Sequence, residues 1–285
     1  MQLAEYGVRV SVILVLLTSL AGAADGTFRN AQGDLQLVNC AKAREWLPQA
    51  GERVSRDVGV LLDRALDCAK DGDAASVTSL LALADGVPPL DLADEIGNGV
   101  KRVRVLLAVD DVERAQALLL ATGARTVAAL REQPDNATIA TQAFWQTSLN
   151  NQAAMRLRST QPRNAIEHQL LGADLHELAG ELGNKEIAVL YHQVALDIAA
   201  ESDLVDESLR TAQLLLALHA RYPDLEGSLS ASSIAGAALS AATAGRRAEA
   251  NALLNGLAET GWPQAAGLVE SVRMQIEPRV PGGRP

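Results

Sequence analysis

LGADLHELAGELGNKEIAVLYHQVALDIAA, residues 171–200, decides the fold. Leu175, Leu178 and Leu182 precede a Gly183-Asn184 break, and Ile187, Leu190, Val194 and Leu196 follow it. Apolar residues three and four apart share one face of an α-helix, so the stretch reads as two amphipathic helices joined by a tight turn. Gly183 is placed to take the left-handed conformation that ends a helix, and Asn184 to cap the next one. Residues equidistant from such a turn face each other, Gly180 against Ala188 and Ala173 against Ala195, and these small pairs let the helices approach closely.

The same punctuation recurs at Gly72-Asp73, Asp110-Asp111 and Gly245, each between Ala/Leu-rich segments. The pattern predicts helices near 38–47, 52–70, 74–84, 91–107, 111–121, 124–132, 136–159, 164–182, 185–200, 204–221, 230–244, 247–259 and 264–276. Prolines fall between these segments or in first turns, where the missing N–H is harmless. Aromatics are 3% of the 285 residues against 48% apolar residues, so the core must be built from Ala, Leu and Val. Ala and Leu favour helix, no long run alternates with period two, and the fold class is all-α. A single hairpin cannot bury its apolar face, so successive hairpins are expected to stack as a superhelix.

The hairpins resemble the tetratricopeptide repeat. Its turn-to-second-helix pattern is met by Gly183, Ala188, Tyr191, Ala195 and Leu196, and in part by Ala65, Gly72-Asp73, Ala84 and Pro89. Ala238, Gly245, Ala250 and Leu253, and Asp110-Asp111 with Ala115 and Leu118, match fewer places. The spacing is irregular, since the breaks do not recur every 34 residues. The resemblance implies a groove for a protein or peptide, to which Gly172, Leu175 and Ala179 would point. That groove would be apolar, without the Lys and Asn residues that clamp a carboxylate terminus.

Outside the repeats, Arg9, the apolar run Val10–Leu20 and the small residues Ala21-Gly22-Ala23 read as a secretory leader over residues 1–23, cleaved after Ala23. Residues 24–37 read as a linker, 38–277 as the helical repeat domain, and 278–285 as a disordered tail. Export places the mature chain in the periplasm or outside the cell, with no stable membrane insertion after cleavage. It also lets Cys40 and Cys68, the only cysteines, close a disulfide; two buried thiols are the alternative, and a redox or metal site is disfavoured by the lack of CxxC spacing or a His nearby in sequence.

A net charge of -10 with no basic stripe excludes phosphate-tracking chemistry and leaves nucleic acid out as a partner. No nucleophile elbow, HExxH, Walker loop or dinucleotide fingerprint is present, and no cofactor is indicated. Gly97-Asn98-Gly99 reads as a helix interruption, and the acidic pairs as helix caps. His168, His176, His192 and His219 are the candidate ligands. His176 and His192 are equidistant from the 183–184 turn, making them a weak metal pair with Glu177 or Glu181 in reach. Phe144-Trp145, Trp46 and Trp262 are either partner anchors or core fillers. The expected function is an exported scaffold or adaptor that binds a protein or peptide. A small-ligand or metal-binding protein, or an envelope enzyme with an unrecognised site, are the alternatives.

Overall fold

The computed structural model describes residues 27–29, 35–37, 39–47 and 57–276. The leader, the tail and most of the linker lie outside the described residues. Two short strands, β1 (Thr27–Arg29) and β2 (Leu35–Leu37), pair antiparallel within the expected linker, with Phe28 opposite Gln36.

Among the described residues twelve α-helices follow: α1 (Cys40–Trp46), α2 (Val58–Lys70), α3 (Ala74–Asp85), α4 (Leu92–Ala108), α5 (Val112–Glu132), α6 (Ala137–Leu157), α7 (Pro162–Leu178), α8 (Lys185–Glu201), α9 (Val205–Arg221), α10 (Ser228–Thr243), α11 (Arg247–Glu259) and α12 (Ala265–Ile276). The all-α, stacked-hairpin expectation is met. Contacts divide the chain into two compact units, Met1–Leu118 and Leu119–Pro285, with the boundary inside α5.

Polar side chains set the helix starts. Asn39, Asp57, Asp73, Asp91, Asn136 and Asn184 each accept a hydrogen bond from a backbone N–H in the first turn of α1, α2, α3, α4, α6 and α8. Such caps satisfy N–H groups that the helix itself cannot pair. Four helices end alike. The N–H groups of Asp73, Asp111, Leu204 and Arg246 bond back to the carbonyls of Cys68, Leu106, Ala199 and Ala241, around left-handed Gly72, Asp110, Asp203 and Gly245. This is the Schellman arrangement, which satisfies two otherwise orphaned carbonyls.

Three expectations need correction. Residues 111–121 and 124–132 form one helix, because Gly123 is not a break. A Cβ there would lie 2.4 Å from Leu171 Cδ2, so glycine serves close packing of α5 on α7. Gly97-Asn98-Gly99 likewise runs unbroken through α4, with Asn98 buried. At the 171–200 hairpin, α7 stops at Leu178 and a 3-10 turn, Gly180–Leu182, intervenes. Gly180 is the left-handed residue at φ 58°, whereas Gly183 is extended at φ -79°, ψ 158°. Gly183 is needed for room, since a Cβ would meet the His176 carbonyl oxygen at 2.3 Å. Asn184 caps α8 as expected.

In the first unit, Leu61, Leu62, Ala65, Cys68, Val77, Leu80 and Val105 form a core between α2, α3 and α4, with Cys40 and Ala43 of α1 against it. In the second unit, each helix from α6 to α12 packs on the next, and α7, α8, α9 and α10 also pack on α9, α10, α11 and α12 respectively. Neighbour plus next-but-one contact is the signature of stacked hairpins. The starts Pro162 and Val205, and Lys185 and Ser228, are each 43 residues apart. Hydrogen-bonded pairs bridge the same interval: Arg158–Glu201 and Glu167–Arg210 are 43 apart, Glu177–Arg221 and Thr147–Tyr191 44. The unit is therefore longer than the 34 residues of a tetratricopeptide repeat.

Candidate functional site

A polar-lined groove of the second unit lies over α7, with a volume of about 660 Å³. Glu167, Leu170, Leu171, Asp174, Glu177 and Leu178 form one face of α7, at the spacing of three and four that puts them in line. Leu120, Ala124 and Arg131 of α5 make one wall, and Arg210, Leu214 and Arg221 of α9 the other. The stacking explains this geometry: next-but-one helices flank α7 and leave its outward face at the bottom of a trough.

Each carboxylate of that face meets an arginine from a wall. Arg221 binds Glu177 through two bonds of 2.9 Å, and Arg210 donates to Glu167 Oε1 at 2.6 Å. Arg131 reaches Asp174 only at 3.8 Å. The two-point Arg221 pair fixes direction as well as distance. Burial raises the Asp174 carboxyl above the ordinary range, against the pull of Arg131. The three pairs cancel in charge, so the trough is a leucine floor between neutralised rims.

His192 reaches the groove from α8 and is 4% exposed. Its Nδ1 is buried without a partner, and burial pushes its pKa down to about 4, helped by Arg221 and His219. The other histidines are also buried. His168 Nδ1 lies 2.8 Å from Asn150 Oδ1, while Asn150 donates its Nδ2 proton to the Gln146 carbonyl. That arrangement assigns the ring proton to Nδ1 and leaves Nε2 a bare buried acceptor. The His168 pKa falls to about 4 through burial. His219 Nε2 is 2.9 Å from Ser230 Oγ, and its ring stands edge-on to Trp262 at 4.6 Å.

The expected His176/His192 pair is not assembled as a ligand set. Among the described residues His176 and His192 join neither Glu177 nor Glu181 in a group of three potential donors, the His176 ring lies tilted against Tyr191 at 5.3 Å, and the charged groups acting on His192 are Arg221 and His219. Gly172 explains the Tyr191 position: a Cβ there would lie 2.2 Å from Tyr191 Cε1, so the ring fills the space that glycine leaves and donates its hydroxyl proton to the Thr147 carbonyl at 3.0 Å. Leu175 and Ala179 are 0% and 1% exposed, filling the core in place of a groove. They turn inward because the face of α7 offered to solvent is the one through Leu171 and Asp174. Trp145 does stand out, 59% exposed with Phe144 beside it on α6. Trp262 packs against the core over Gly227, and the Trp46 side chain lies outside the described residues.

Among the described residues, the one group of three potential metal donors is Cys40, Cys68 and Asp73 in the first unit. The cysteine sulfurs lie at disulfide distance, with Cα atoms 4.8 Å apart. Asp73 Oδ1 accepts from the Ser76 N–H as the α3 cap, and its Oδ2 accepts from Arg44 Nε at 2.8 Å. Bonds from Ser76 and Arg44 hold its pKa down to about 2.

Comparison with protein-family models, with curated proteins and with solved structures finds no match to this chain. Among the described residues no helix is long and apolar enough to cross a membrane. The groove residues were missed in the sequence because their signal is long-range. Acid on one helix and arginine 43 or 44 residues later became meaningful only once the repeat length was known.

Proposed function

We propose that the chain is an exported scaffold or adaptor of helical-repeat, tetratricopeptide-like type, which holds an extended segment of a protein partner in the trough over α7. One observation carries the reading: an unfilled strip of Leu120, Leu170, Leu171, Leu178 and Leu214 lies between rims fixed by three ion pairs. A leucine floor rewards apolar side chains of any shape, and paired rims supply polar groups without a net field. Likeness to the tetratricopeptide family is one of hairpin design, through Ala188, Tyr191 and Ala195, with a longer unit. Export is supported by the leader-like residues 1–23 and by a cysteine pair suited to an oxidising compartment.

Leu214 is 39% exposed, so Leu214→Glu places a charge in the trough without opening the core. Leu190, 49% exposed on α8, lines a separate hollow with Leu225 and Leu229 and serves as the control. The mature chain is used as bait on extracts of the source cell. A partner retained by the native chain and by Leu190→Glu, but lost with Leu214→Glu, supports the trough. Equal retention by all three baits, or no retained partner, refutes it.

A further inference from the structure

We propose that Cys40 and Cys68, when reduced, form with Asp73 a site for one zinc-class divalent cation, so that the first unit carries a metal site gated by thiol–disulfide exchange. This goes beyond the trough reading and rests on a different unit.

Three elements bring the donors together: Cys40 opens α1, Cys68 sits in the last turn of α2, and Asp73 caps α3. One donor atom from each lies within 4.8 Å of the other two. Zinc binds thiolate sulfur at about 2.3 Å and carboxylate oxygen at about 2.1 Å, so a tetrahedral site has a sulfur-to-oxygen edge of roughly 3.6 Å. Cys40 Sγ and Asp73 Oδ2 are 3.6 Å apart. The sulfur-to-sulfur edge of the same tetrahedron is about 3.8 Å, which separated thiolates on Cα atoms 4.8 Å apart reach by side-chain rotation.

The carboxylate is oriented before any metal arrives, because Oδ1 is engaged by the Ser76 N–H, while Oδ2 accepts from Arg44 and also faces the sulfur. Fixing a ligand through its other oxygen is how outer partners raise metal affinity. Two thiolates and a carboxylate around a divalent cation sum to one negative charge. The Arg44 guanidinium, 2.8 Å from Oδ2 and 4.0 Å from Cys40 Sγ, supplies the balancing positive charge. With its side chain 60% exposed, Arg44 can swing outward and open the fourth coordination position to water.

The chemistry balances. A dithiol reductant gives two electrons and two protons to the Cys40–Cys68 bond and itself becomes a disulfide. The cation then displaces both thiol protons to solvent and takes the sulfurs as thiolates. A disulfide oxidant reverses this: it takes two electrons from the two thiolates and two protons from solvent and becomes a dithiol, while both sulfur ligands are consumed in the Cys40–Cys68 bond and the cation is released.

The full chain is reduced with a phosphine under anaerobic conditions and titrated with cobalt(II), with helical circular dichroism recorded throughout. The expected result is one cobalt per reduced chain with thiolate-to-cobalt charge-transfer absorption, displaced by zinc, and no such band in the oxidised chain. Asp73→Asn keeps a side-chain oxygen to cap α3 and should retain the helical signal, yet bind cobalt at least about tenfold more weakly. Absence of the band in the reduced native chain overturns the proposal. So does equal affinity in Asp73→Asn, or a reduced chain whose helical signal is lost and not restored by the metal.

Discussion

Acidification should destabilise the second unit through its histidines. His168 and His192 are 0% and 4% exposed, each with a buried ring nitrogen lacking a partner, and each has its pKa pushed down to about 4 from 6.5. A base whose folded pKa is depressed binds fewer protons folded than unfolded. Its stabilising contribution is therefore complete above the unfolded value, falls as pH drops through 6.5, and stops falling near 4. A pKa unit is worth about 1.4 kcal/mol, so going from about pH 7.5 to pH 5 should cost about 2 kcal/mol for each of the two groups. Burial lowers His176 and His219 too, which adds in the same direction. Asp174 and Asp197 are raised by burial and oppose the trend. Urea unfolding followed through Trp262, with Trp46 and Trp145 replaced by Phe, reports this unit. Stability should fall by about 4 kcal/mol over that pH interval, and His168→Gln or His192→Gln should each remove about half of the dependence. The reasoning is refuted by a flat profile, by variants with the native slope, or by imidazole resonances titrating near 6.5.

Other perturbations test the packing. Asp203 is left-handed at φ 54° in the position that Gly72 and Gly245 occupy elsewhere, so Asp203→Gly should stabilise by about 0.5–1 kcal/mol in urea unfolding. Gly172→Ala should drive Tyr191 off the Thr147 carbonyl and cost about 1–3 kcal/mol, with Tyr191 gaining solvent exposure by fluorescence quenching. Cys40→Ser with Cys68→Ser should lower first-unit stability by about 3.5 kcal/mol relative to the oxidised chain, given a sequence separation of 28; an equal stability would mean that no bond forms.

Local features were legible because their causes are local. Asp73, Asp91, Asn136 and Asn184 sit at helix starts, where a short acceptor is wanted, and Gly72 and Gly245 end helices, where a residue without Cβ is favoured. Glycines within α5 and α7 misled, since Gly123 and Gly172 answer to Leu171 and Tyr191 on other elements and not to the backbone. Asp203 was missed because a left-handed Asp carries no distinctive signal in a run of Glu, Ser and Asp. The groove was least legible. Leu175 shares α7 with Leu171 and Asp174 and Ala179 follows at its end, and only the packing of α5 and α9 on either side of that helix decides which residues face outward.

Small residues and charges together shape the two flanks of α7. Gly123 brings α5 down onto Leu171, and Ala212 of α9 is fully buried against its neighbours. Close backbones leave no space in the core for long side chains, so the arginines of α5 and α9 emerge at the rims, where the α7 carboxylates wait. Exposed ion pairs of this kind contribute little stability individually, about 0–1 kcal/mol. Their recurrence at 43 and 44 residues is therefore better explained by what they do to the trough than by what they do for the fold. Bound to each other, the charged groups stand still beside a leucine floor. On the proposed reading, an incoming chain would meet a shaped surface with its polar groups already oriented, and would lose less freedom in ordering it.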